Sequence, residues 1–593
     1  MHEGVTPAVT IETSTQTGGQ LLIAALKAHG VSTVFGIPGA HTLAIYDALH
    51  DEPDIRNIVV RHEGGAGYMA DGYARASGKP GVVLTITGPG ATNAITAVGG
   101  AYADSSPLLV ISSQIPTAHL DAHNGFLHEM IDQRGAFAAV TDWTYRVMHS
   151  DEIQLAIDAA FAHFSQGRPT PAYIEIPMDL LDEAPTPIPA HVGSHTRLED
   201  ATDLRPPGDG IGNPGSPLTV SAGTAAGASD HGQERAVLEE ALIRAAELLL
   251  ASQRPVIYAG WGVISANATA ALIELAELLQ APVATSIKGK GAIADDHPLC
   301  IGCAWAAEVR ASPALTEADL MLAIGTRFTL RTAGWGRAPI PCLLIHADID
   351  PSAIGRTVPA QLALHGDALQ VLQRLIALVR ERLPQSSAQK QRDPLVWGGY
   401  RAAVRQHIDR VIAERSPFVS AVLAGLRQGL ARDAIICNDN CLLCFWAGRY
   451  LPVYEPRTWL FPMQFCTLGW GLPAAIGAKI AHPDRQVVAL AGDGGFMFSC
   501  QELISASALG LNLPVVVFND AAYGSVRENQ TKRYGGRHTS IALATPDFPK
   551  LAEACHCHGV LLEHPSQLPQ ALAQAFAADR PTLIELRAQL EFP

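Results

Sequence analysis

Two apolar runs toward the C-terminus constrain the fold more tightly than any other feature of this chain. Val487–Ala491 runs into Gly492-Asp493-Gly494-Gly495, and Val515–Phe518 runs into Asn519-Asp520. Short continuous apolar runs bounded by turn residues read as buried strands of a parallel sheet. From Asp493 to Asp520 is 27 positions (520 − 493), which is room for a helix and a return strand, as a parallel crossover requires. Both polar turns then sit at the same end of one sheet. Asp493 and Asp520 place two hard oxygen ligands there, and the backbone carbonyl of Ala522 can complete the set. Gly494 and Gly495 let backbone N–H groups approach phosphate oxygens at a helix start. The pattern predicts Mg²⁺ carrying a diphosphate cofactor.

The alternation of apolar runs with helical patterns recurs in three stretches, which predicts an α/β protein of three open parallel-sheet domains. The first spans 18–183, with strands expected at Val31–Phe35, Ile58–Arg61, Val82–Thr87, Leu108–Ser112 and Ala172–Ile176. Residues 184–233 are rich in Pro, Gly, Ser and Ala and read as a flexible linker. The central domain spans 234–383, with strands expected at Val256–Tyr258, Val283–Thr285, Leu320–Ile324 and Leu343–His346. A polar passage, 384–393, leads to the third domain, 394–593. The first and third domains have similar length and pattern, as duplication of one unit would leave.

Composition narrows the function classes. A chain of 593 residues is too long for a single core. Its net charge of −15 argues against a nucleic-acid partner. No apolar run reaches bilayer length, and Met1–Thr17 lacks the basic and apolar regions of a signal peptide. Ten cysteines are sparse at this length, and Cys555 and Cys557 extend neither Cys300/Cys303 nor Cys441/Cys444 into a zinc pattern. Reduced thiols in a cytoplasmic protein are expected.

Two further segments offer chemistry. Ile58–His62 reads as a strand and Glu63–Arg75 as a glycine-rich helix. Glu63 is then either an ordinary first-turn carboxylate stabilised by the helix dipole or a group aimed at a ligand. Glycines weaken a helix, so those at 64, 65, 67 and 72 suggest that another backbone or a ligand comes close. Thr87-Gly88-Pro89-Gly90-Ala91-Thr92-Asn93 is either plain punctuation or the lining of a pocket at the carboxyl ends of the strands.

Taken together, Arg61-His62-Glu63, Thr87–Asn93, Gly469-Trp470-Gly471-Leu472-Pro473 and Gly492-Asp493-Gly494 resemble the thiamine diphosphate enzymes of the acetolactate synthase and 2-oxo acid decarboxylase superfamily. Gly325-Thr326-Arg327-Phe328 and His346–Gly355 in the middle stretch are similar to acetolactate synthase. The resemblance covers nearly everything from Gly18 onward except the linker. It implies a pyrimidine-binding, a central and a diphosphate-binding domain, and a homodimer or homotetramer whose sites lie between subunits. It implies that Glu63 bonds the aminopyrimidine ring nitrogen, that Asp493 is the first metal ligand, and that Leu468 props the cofactor bent. The implied reaction is decarboxylation of a 2-oxo acid, followed either by carboligation to a second carbonyl compound or by release of an aldehyde. A relative that binds the cofactor without catalysis is the alternative of a different class; Glu63 and Asp493 both being present argues against it. A nicotinamide-binding reading fails because no G-x-G-x-x-G follows the expected strand.

The chain departs from that family at four places. Asp520 stands where Asn is usual, adding a negative charge to the metal site. Glu528-Asn529-Gln530 replaces a Trp-containing segment that selects the second 2-oxo acid in acetolactate synthases. Leu442-Leu443 replaces a Gln-His pair that touches the diphosphate, and Asn440 is either a substitute for it or a turn residue. A Gly-Met-His-Gly segment of the FAD-binding synthases is missing near Gly302-Cys303-Ala304-Trp305, which makes FAD doubtful. His41 aligns with an active-site histidine of benzaldehyde lyase, and Gln114 with a pocket glutamine of that lyase and of acetolactate synthase. Both are expected to face substrate, against the plainer readings of a helix-start histidine and a strand-end turn residue. His123 and His128 fall on a loop expected over the site. Gly18-Gly19-Gln20, Pro38–Leu43 and Leu127-His128-Glu129 with Asp132-Gln133-Arg134 also resemble decarboxylases acting on guanidino-oxopentanoate, a 2-oxo acid from arginine.

Overall fold

A computed structural model describes residues 16–182, 230–329, 340, 342–383 and 394–591. The expected linker lies outside the described residues as far as 229, and a helix, Asp230–Ala251, begins at its end. The polar passage 384–393 also lies outside them.

The chain divides into two compact units. The first comprises Met1–Asp71 and Pro80–Asp209, the second Gly72–Lys79 and Gly210–Pro593. The first unit holds β1 (Thr33–Gly36), β2 (Arg56–Val59), β3 (Gly81–Thr85), β4 (Leu108–Gln114), β5 (Trp143–Arg146) and β6 (Ala172–Pro177). They form one sheet in the order β2-β1-β3-β4-β6-β5, with every pair parallel. Parallel strands must be joined by crossovers, and helices such as Glu63–Ser77, Pro89–Asp104 and Glu152–Ser165 supply them.

The second unit carries two sheets. One contains β7 (Pro255–Ala259), β8 (Val283–Thr285), β9 (Cys300–Cys303), β10 (Leu320–Ile324), β11 (Leu343–Asp348) and β12 (Leu362–His365), in the order β12-β11-β10-β7-β8-β9. The other contains β13 (Ile435–Asn438), β14 (Trp459–Leu460), β15 (Val487–Gly492), β16 (Pro514–Asn519), β17 (His558–Leu562) and β18 (Thr582–Arg587), in the order β14-β13-β15-β16-β18-β17. Both are parallel throughout. The strands flanked on both sides are fully buried, as in β10, β15 and β16, which is why they read as unbroken apolar runs. The edge strands β5 and β12 are only partly buried, β5 has no unbroken apolar run and that of β12 is three residues, and neither is among the expected strands.

The first and third sheets share one strand order. In each, the chain reverses direction across the sheet next to its first strand. A crevice therefore opens outside the carboxyl ends of β1 and β3, and another outside those of β13 and β15. The glycines of the helix Glu63–Ser77 mark close approaches. A Cβ on Gly67 would stand 2.4 Å from the Ala97 Cβ, and one on Gly72 would stand 2.2 Å from the Ala474 carbonyl oxygen. No helix among the described residues is long and apolar enough to cross a membrane.

Candidate active site

The crevice of the third sheet is built on three strand ends. β15 ends at Gly492, and Asp493 opens a one-turn helix, Asp493–Phe496. The Gly494 N–H donates to Asp493 Oδ1 at 2.8 Å, whereas Oδ2 is buried with no hydrogen-bond partner. Burial pushes the Asp493 carboxyl up to about 6, and the nearby charge of Asp520 adds to the rise. The N–H groups of Gly494, Ala522 and Ala521 offset part of it. Such an orphaned carboxylate oxygen is costly unless a cation completes it, so the donor set suits a divalent metal.

Asp520 follows β16. Arg527 Nη2 donates to its Oδ2 at 2.9 Å, and this guanidinium partly offsets the upward push of burial on the Asp520 carboxyl. The Ala522 carbonyl accepts the Gly524 N–H at 2.9 Å and keeps a second lone pair. Gly494 and Gly495 cannot carry side chains here. A Cβ on Gly494 would stand 2.8 Å from the Tyr523 ring, and one on Gly495 would stand 2.9 Å from Asp439 Oδ1.

Asp439 is not among the residues expected from the sequence. It follows β13 and is fully buried. Its carboxylate accepts the N–H groups of Asn440 (2.7 Å), Gly469 (3.2 Å) and Gly471 (3.1 Å). Burial pushes it up to about 6 despite those bonds. The loop it braces carries Leu468, half-buried between Cys466 and Gly469, both at positive φ. Asn440 Nδ2 donates to the Cys466 carbonyl at 2.9 Å, and its Oδ1 is buried without a partner. Leu442 and Leu443 are buried in the helix Leu442–Tyr450. Asp439→Ala would leave three N–H groups without their acceptor. We expect a loss of roughly 2–4 kcal/mol in urea unfolding and weaker cofactor uptake because the Leu468 loop loosens; an unchanged unfolding midpoint would refute this bracing role.

The crevice of the first sheet has different chemistry. Glu63 opens its helix and is half-buried. Asn93 Nδ2 donates to Glu63 Oε2 at 2.9 Å, and a Cβ on Gly90 would stand 3.3 Å from Oε1. His41 follows β1 in a short turn, Ala40–Thr42. Its Nδ1 lies 3.0 Å from Thr87 Oγ1, and its ring is 5.2 Å from that of His128 and 6.0 Å from that of Phe126. Burial, and secondarily His128, lower the pKa of His41, so the ring is neutral at pH 7. His123 is exposed, 3.9 Å from Glu129.

Gln114, the last residue of β4, is buried, with its carboxamide engaged inside the protein. Its Nε2 lies 3.4 Å from Glu175 Oε2, and its Oε1 accepts the Ile115 N–H at 2.8 Å. Glu175, on β6, is fully buried and paired with Arg146. Gln133 ties this network to the glycine loop. Its Oε1 accepts the Gly88 N–H at 2.7 Å, and its Nε2 donates to the Ser113 carbonyl at 3.1 Å and the Tyr173 hydroxyl at 2.9 Å. His41, Thr87 and the Glu63–Asn93 pair thus belong to the first unit, and Asp493, Asp520, Asn440 and Leu468 to the second.

Comparison with known proteins shows the family. The N-terminal TPP binding domain of thiamine pyrophosphate enzymes matches residues 16–136, their central domain 242–375, and their C-terminal TPP binding domain 439–586. The chain is 38% identical over 580 residues to a probable 2-ketoarginine decarboxylase of Pseudomonas aeruginosa, covering 97% of this chain and 94% of the relative. It is 34% identical over 580 residues to a probable acetolactate synthase large subunit of Methanocaldococcus jannaschii, covering 96% and 91%. With acetolactate synthase isozyme 3 large subunit of Escherichia coli it shares 33% over 568 residues, covering 94% and 92%.

Proposed function

The chain belongs to the thiamine pyrophosphate enzyme family, and we propose that it decarboxylates a 2-oxo acid and joins the resulting fragment to a second carbonyl compound, using Mg²⁺ as the metal. The observation that supports this most is the partnerless Asp493 Oδ2 beside Asp520 at a strand-end crevice.

In this reading Asp493, Asp520 and the Ala522 carbonyl hold Mg²⁺, and the backbone N–H groups at Gly494 and Gly495 face the diphosphate. Asn440 has an unused buried oxygen at the same mouth, and Leu468 supports the cofactor from its braced loop. When bound, thiamine diphosphate supplies a carbon nucleophile and an electron sink, so that the bond to the substrate carboxylate can break. Glu63 holds a proton against the aminopyrimidine ring nitrogen. His41, neutral and tied to Thr87 through Nδ1, has Nε2 left to give or take a proton at the substrate. Gln114 and Gln133 fix the Gly88 loop through the buried Glu175. The enzyme is proposed to be a cytoplasmic homo-oligomer, with Glu63 acting on the cofactor held by a partner subunit.

FAD is not part of the proposal. Trp305, in the segment where FAD-binding relatives have a different motif, lies under the Arg449 guanidinium at 3.9 Å. A second reading, simple decarboxylation to an aldehyde, is favoured by Glu528-Asn529-Gln530, which lacks the acceptor-selecting Trp, and by the 2-ketoarginine decarboxylase relative. One assay separates the two. Purified protein with thiamine diphosphate and Mg²⁺ is offered a panel of 2-oxo acids, including 5-guanidino-2-oxopentanoate, with and without acceptor aldehydes. Carboligation predicts CO₂ release with an acyloin product mass, and aldehyde alone selects the second reading. No CO₂ from any member of the panel would count against both.

A further inference from the structure

We propose that Arg527 is a positioning residue for the metal site, and that Asp520 and Arg527 together do what a single asparagine would do. The inference rests on the function proposed above. A metal ligand at position 520 needs one oxygen directed at the cation. A lone aspartate offers that oxygen with a full negative charge next to Asp493. Here Arg527 Nη2 donates to Oδ2 at 2.9 Å. Both side chains are largely buried, 5% and 15% exposed for Asp520 and Arg527, so the pair is little screened by solvent. The same Arg527 Nη2 also lies 3.4 Å from the Leu590 carbonyl, which helps fix the guanidinium in place. One oxygen of Asp520 is thereby committed to Arg527, and the other remains for the backbone N–H groups of its own loop and for a cation. The positive charge cancels the extra negative one, and the guanidinium N–H occupies the side of the carboxylate where a carboxamide would carry its NH₂.

This arrangement changes what Asp520→Asn should do. The extra charge of Asp520, read from the sequence, suggests that Asp520→Asn would bind cofactor at least as well. The geometry gives the opposite result. An asparagine has one carbonyl oxygen, so it can satisfy Arg527 or the metal but not both. If the oxygen faces the metal, its NH₂ confronts the guanidinium, donor against donor. The uncompensated arginine also repels the cation. Removing Arg527 removes the conflict.

The test is a double-mutant cycle on Mg²⁺-dependent uptake of thiamine diphosphate, followed by calorimetry, with thermal melts of the cofactor-free proteins as a check on folding. Asp520→Asn in the parent should weaken uptake by about tenfold or more, as loss of a charge-assisted hydrogen bond implies. In an Arg527→Met background the same change should weaken it by less than about threefold. The Mg²⁺ midpoint should shift with the affinity, which a purely structural defect would not produce. If Asp520→Asn has equal effects in both backgrounds, or none in the parent, the positioning role of Arg527 fails while the proposed function stands. If the parent takes up no thiamine diphosphate with Mg²⁺ present, the proposed function fails as well. Arg527→Lys guards against misfolding of Arg527→Met, and it should preserve the sensitivity of position 520 because it keeps the charge.

Discussion

Glu63→Gln is expected to fold normally and still lose activity by about 10²–10⁴-fold, the range that a positioned proton-transfer group contributes. The substitution is nearly isosteric. Its Oε1 can still accept from Asn93 Nδ2, which lies 2.9 Å from Glu63 Oε2 in the parent. Stability should therefore change by no more than roughly 0.5 kcal/mol. A carboxamide, however, cannot take up or hold the proton that the aminopyrimidine ring must exchange. The measurement pairs the rate of CO₂ release with a thermal melt and with calorimetric uptake of thiamine diphosphate. Loss of rate with uptake retained places the defect in proton handling; undiminished turnover would remove Glu63 from the mechanism.

Asp493→Asn should give an effect of two signs. Cofactor uptake in the presence of Mg²⁺ should fall below detection, because the ligand with the orphaned oxygen has lost its charge. The cofactor-free protein should become more stable, on the order of 2 kcal/mol at pH 7, since a buried carboxylate pushed up to about 6 is held ionised against its surroundings. The sign with pH follows. The folded-state pKa lies above the value of 3.8 for an unperturbed aspartate, so the folded protein binds the proton more readily than the unfolded chain. The penalty is fully present above about 6 and disappears as the pH falls toward 4. Urea unfolding of the cofactor-free parent and variant at pH 7 and pH 4.5 should show the gap closing. A gap that is constant or widens on acidification would refute the idea that burial of this carboxylate is a cost of the metal site.

Much of this arrangement is legible in the sequence because parallel sheets buried on both faces leave unbroken apolar runs. β10, β15 and β16 announce themselves in that way, and the polar residue ending each run is already at the carboxyl end of the sheet. Asp493 and Asp520 are found for that reason. Asp439 obeys the same rule, since Asn438-Asp439-Asn440 ends the short run Ile435–Cys437, but that turn has no glycine to mark it as a ligand loop. Side-chain direction is harder to read. Resemblance places Gln114 at a strand end, yet its carboxamide is engaged by Glu175, a partner that β6 delivers from 61 residues away. Arg527 is similarly silent, because a basic residue on an exposed-looking helix pattern gives no sign that it will be paired with a carboxylate seven positions back.

The shared strand order of the first and third sheets has a consequence for how such a chain comes into being. Slot for slot, the turn after β1 carries His41 and the turn after β13 carries Asp439 and Asn440. The turn after β3 carries Thr87 and its glycines, and the turn after β15 carries Asp493 and its own. The end of β4 carries Gln114, and just past the end of β16 stands Asp520. A gene copied once and joined to itself would leave this kind of register, with acids at the strand-end slots of one half and neutral groups at the matching slots of the other. Heredity would then have needed to invent the scaffold once and alter only the residues at its rims.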